Sequence, residues 1–80
     1  MNLAEFITEF QDRHSRGEDM PQWVSGIFSA LASAGAHDRI KSVLRFSMLE
    51  VTNPAFPMPE TCVNVLFKSL VVALSQPHIS

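Results

Sequence analysis

Apolar residues recur at the spacing of helical faces in four segments, separated by short polar or proline-bearing links. Leu3, Phe6, Ile7 and Phe10 stand at i, i+3, i+4 and i+7, which is one side of a helix. Asn2 followed by Glu5 has capping-box spacing at its start. Arg13, His14 and Arg16 suit the negative end of the helix dipole, and Gly17 offers the left-handed residue that closes many helices. The spacing predicts a first helix over residues 2–15, with Glu5, Glu9 and Asp12 facing water. Asp19, with Pro21 and Gln22 close behind, signals a second start. Val24, Ile27, Phe28 and Leu31 then predict a helix over 20–34, ended by Gly35. Trp23 reads as a lid on the core, and Ala30, Ala32, Ala34 and Ala36 as small residues that allow a neighbour to approach closely.

Asp38 is read as the cap of a third helix over 38–52, whose main face is Ile40, Val43, Leu44, Met48 and Val51. Phe46 and Leu49 project to its far side, two large apolar groups that need a second neighbour. The link 53–59 holds Pro54, Pro57 and Pro59, so it should be extended, with Phe56 and Met58 held out as apolar handles. Pro59 and Glu60 then open a fourth helix over 59–75, stopped by Pro77. This last segment is apolar on nearly every side. Its stretch from Thr61 to Leu74 carries Lys68 as its one charge. Helical projection assigns Val63, Leu66, Phe67, Leu70, Ala73 and Leu74 to the core. A second series, Met58, Cys62, Val65, Ser69, Val72 and Gln76, steps by four and three residues, the spacing of a helix-pairing seam.

The expectation is an all-α fold, a small four-helix domain spanning residues 1–80 and assembling as a dimer. Composition agrees, since 46% apolar and 18% charged residues describe a globular chain. Eighty residues bury only about two thirds or less of their unfolded surface, and association is a common remedy for so small a core. The expected interface gathers Phe46, Leu49, Phe56, Met58, Val65, Ser69 and Val72.

Candidate chemistry is sparse. No two of His14, His37, His78 and Cys62 have the i, i+3 or i+4 spacing of ligands on one helical face. Asp12, His14 and Ser15 are adjacent, but the end of a helix spreads them around its cylinder. Gly17, Gly26 and Gly35 are isolated and form no phosphate loop. No metal, cofactor, small-molecule substrate or catalytic residue is expected, so the chain reads as a non-enzyme. The Asp-Ser-Leu attachment motif of acyl carrier proteins is missing at the start of the second helix, which reads MPQWVSG, and one cysteine cannot make a saposin-like framework. The single Cys62, the acidic N-terminal stretch and the lack of an apolar run of about 20 residues point to a cytoplasmic protein outside the membrane.

Charge introduces one competing reading. Arg39, Lys41 and Arg45 cluster after a turn containing Gly35, the outline of a helix-turn-helix in which Arg39, Ser42 and Arg45 would read a groove while Lys41 met phosphate. A formal net charge of −2 disfavours nucleic acid, because affinity there depends on neutralising phosphates. The first twenty residues carry −3 and the remainder +1. The leading expectation is therefore a helical protein-interaction module of adaptor, chaperone, immunity or inhibitor type. Its partners are a second copy of itself and another protein. The alternative is a DNA-binding regulator using the basic helix 38–52.

Overall fold

Four helices account for most of residues 3–50 and 58–77, the part of the chain that the computed structural model describes: α1 Leu3–Ser15, α2 Met20–Ser33, α3 His37–Glu50 and α4 Glu60–Leu74. The side chains of Leu3, Phe46, Leu49 and Glu50 lie outside that description, as do Asn2, Val51, Phe56, His78 and positions 53–57 of the proline link. Among the described residues there is no strand, and the fold is all-α. The radius of gyration, 11.9 Å, matches the roughly 12 Å of a compact chain of this length.

The helix ends follow from local chemistry. Gly17, at φ +77°, ends α1 in a Schellman arrangement: its N–H donates to the His14 carbonyl at 3.0 Å and the Glu18 N–H to Arg13 at 3.2 Å. Gly35, at φ +72°, repeats the device after α2, with Ala36 N–H donating to Leu31 at 2.8 Å. Asp19 caps α2 as expected, its carboxylate accepting from the Gln22 N–H at 3.2 Å. Two starts differ from expectation by one residue. α3 begins at His37, so Asp38 lies inside the first turn and serves the dipole rather than the cap. Pro59 is the N-cap of α4, where its extended backbone (φ −55°, ψ 143°) presents a carbonyl to Val63 N–H at 3.0 Å.

α2 lies at the centre, touching α1 and α3 and packing most extensively against α4. The core holds Phe6, Ile7 and Phe10 from α1, Met20, Val24 and Phe28 from α2, Ile40 and Val43 from α3, and Cys62, Leu66, Leu70 and Ala73 from α4. Ile27, Leu31, Leu44, Met58 and Val65 pack half-buried against it, together with Ala32 among the alanines of the second helix. Trp23 closes one side. It stacks on Phe6 (centroids 5.4 Å, interplanar 15°), meets Phe10 at 6.2 Å, and carries the Arg13 guanidinium 5.2 Å above its ring. Arg13 in turn donates to Glu9 at 2.9 Å and Glu18 at 2.8 Å, and Arg16 pairs with Asp12 and Glu18, so Arg13 in α1 and Arg16 just after it are neutralised within the chain.

Three expected core residues are exposed, and Val63 is half-buried outside the core cluster. Met48 is 67% exposed, and Phe67 and Leu74 are each a little over a third exposed. Their neighbours Ser47 and Ser69 are fully buried instead.

Candidate interaction surface

The inward line of α3 runs Ile40, Val43, the half-buried Leu44 and Ser47, and that of α4 runs Cys62, Leu66, Ser69, Leu70, Ala73. At about 100° per residue, α4 is turned by roughly 60° from the face its hydrophobicity suggests. The rotation follows from size. Ser69 and Ala73 are small, which allows the closely packed partner α2 to approach. Ser69 does not lose a hydrogen bond by being buried, because its hydroxyl donates to the Val65 carbonyl one turn back at 2.7 Å.

The rotation decides what α4 shows to solvent. Val71 is 64% exposed, and Phe67 and Leu74 stand beside it at i−4 and i+3, giving an outward apolar stripe. Lys68 and Asn64 border it, also exposed. No residue of this stripe was an expected interface member. The signal available in the sequence was that α4 is apolar all round, which guarantees an exposed apolar face without telling which one it is.

The expected interface residues divide. Ser69 is fully buried and offers no surface to a partner. Val65 and Met58 pack half-buried against the core. Val72 is 37% exposed, on the other side of Lys68 from the Phe67–Val71–Leu74 stripe. Phe46, Leu49 and Phe56 are outside the described side chains.

The remaining candidates do not converge. Arg39, Lys41, Ser42 and Arg45 are all exposed on α3, and the Ser42 hydroxyl donates to the Asp38 carbonyl at 2.9 Å. The ring of His14 stacks on Phe10, and the Ser15 hydroxyl donates to the Asp12 carbonyl at 2.6 Å, so these neighbours are engaged locally and separately. Cys62 is buried, which pushes its thiol pKa up and away from thiolate chemistry. Glu18 and Glu9 hold the Arg13 guanidinium still more firmly charged. Among the described residues no group of three His, Cys, Asp or Glu side chains is placed to hold a metal ion, and no helix is long and apolar enough to cross a membrane.

The chain matches no protein-family model, no curated protein and no solved structure. What it is for must be argued from its own surface: a four-helix all-α domain whose outermost distinguishing feature is apolar rather than chemical.

Proposed function

We propose that this chain is a non-catalytic protein-interaction module, of adaptor, chaperone, immunity or inhibitor type, and that α4 is its pairing element. The observation that carries the reading is the stripe Phe67, Val71 and Leu74, in which Val71 is largely uncovered although the chain is short of burial. A second copy is the simplest partner. The stripe has the alternating four- and three-residue spacing of a helix seam, and Lys68 is the lone charge beside it, so two copies laid face to face meet no like-charge cluster. The cytoplasm suits this protein, since its one thiol would stay reduced there.

Light scattering coupled to size exclusion tests the reading. The wild-type chain is expected to be a dimer at micromolar concentration, and Val71→Asp a monomer with an unchanged helical circular dichroism spectrum. Val72→Asp, across Lys68 from the stripe, should leave the dimer intact. A wild-type monomer would remove self-pairing, and equal loss in both variants would remove the assignment to this stripe.

A further inference from the structure

The positive charges of this protein fall into two classes. Arg13 and Arg16 are consumed by Glu9, Asp12 and Glu18. Arg39, Lys41 and Arg45, all exposed on α3, form no ion pair among the described residues. Lys41, Arg45 and Met48 stand at i, i+4 and i+7, so they form one line about 10 Å long on the outer side of that helix. Met48, at its end, is the most exposed large apolar side chain among the described residues.

We propose that this line docks an acidic amphipathic helix of another protein, with Lys41 and Arg45 meeting carboxylates and Met48 packing on the partner's apolar side. Charge complementarity selects the sign of the partner: among the described residues these two cations form no ion pair, even with the exposed Asp38 one turn before Lys41. Met48 selects its kind. A thioether on a flexible unbranched chain adapts to apolar partner side chains and offers nothing to a phosphate. The aliphatic stems of Lys41 and Arg45 extend the same apolar strip while their heads reach the rim. Nucleic acid fits less well. The chain carries net −2, and Met48 on the same line offers phosphate no contact. This surface is separate from the α4 stripe and stands whether or not α4 pairs with a second copy.

The experiment is fluorescence anisotropy with a labelled helical peptide bearing Glu and Leu on one face, run in parallel with duplex DNA and with phosphatidylserine vesicles. The peptide is expected to bind best and to lose affinity as salt rises. The double substitution Lys41→Glu with Arg45→Glu should weaken it about tenfold or more. Met48→Ala should weaken it a few-fold with the salt dependence kept. Arg39→Glu and Val71→Asp should bind as wild type, which separates this site from the α4 stripe; all substituted side chains are exposed, and circular dichroism checks each fold. Peptide binding that survives the charge reversal, or is lost in Val71→Asp, overturns the proposal. So does tighter binding of DNA or vesicles, or no binding of the peptide at low salt.

Discussion

The two halves of this molecule treat large apolar residues differently. In α1 and α2, the residues that the spacing points to are the ones that are covered: Phe6, Ile7, Phe10, Val24 and Phe28 are all buried, and Trp23 lies across the aromatic cluster. In α3 and α4 two serines are buried while Met48, Phe67, Val71 and Leu74 face outward. The first pair of helices has polar residues on the opposite side, so only one rotation covers the apolar ones. α4 is apolar nearly all round, and several rotations would bury a similar apolar area. There, fit against α2 decides, and small residues win the inside. The practical lesson is that an apolar stripe is a core face only when the rest of its helix is polar enough to exclude the alternatives.

Four substitutions can break or sharpen this contrast. The largest effect is expected from Phe28→Ala, which should cost about 3–5 kcal/mol through lost contacts and the cavity left behind. Phe67→Ala should cost about 1 kcal/mol, because part of that ring is already in water. Urea denaturation of the two variants measures the difference, and similar losses would abolish the distinction between the halves. Ser69→Leu comes next. Hydrophobicity alone predicts a gain, whereas a closely packed α2–α4 contact predicts a loss of about 1–3 kcal/mol from overpacking; a more stable variant would refute the account of the α4 rotation. The smallest effect concerns Ser47, whose buried hydroxyl has no hydrogen-bond partner among the described residues, unlike that of Ser69. Ser47→Ala should therefore leave stability unchanged or raise it by up to about 1 kcal/mol. Thermal melts would detect this, and a clear loss would mean that the hydroxyl is satisfied.

Much of the architecture was legible before any coordinates. Helix number and order, the Asp19 cap, the closures at Gly17 and Gly35 and the stop before Pro77 are all local events, set by residues within a few positions of one another. The α1 and α2 faces were legible too, as far as their side chains are described. The candidate surface was legible only in kind. An excess of apolar side chains in α4 could be read from composition and period, and it correctly implied that some would remain outside. The spacing of Met58, Cys62, Val65, Ser69, Val72 and Gln76 suggests a helix-pairing seam and gives the bulkier Phe67 and Leu74 to the core, whereas the fold buries Cys62 and Ser69 and leaves Phe67 and Leu74 outside. Spacing shows which residues share a face, not which face turns inward.

The sequence by itself therefore determined what depends on neighbours along the chain: which segments are helical, where each begins and ends to within a residue or two, and that Arg13 and Arg16 have acids one turn away to neutralise them. Only the tertiary structure decided the rotation of α3 and α4 about their own axes, and with it the exposure of the Phe67–Val71–Leu74 stripe and of Met48. The reason is physical. Helix formation is governed by backbone hydrogen bonds and caps that close over a few residues, whereas the rotation of an all-round apolar helix depends on the shape of a distant partner. For α4 that partner is α2, against which Ser69 and Ala73 face inward while Phe67, Val71 and Leu74 face out.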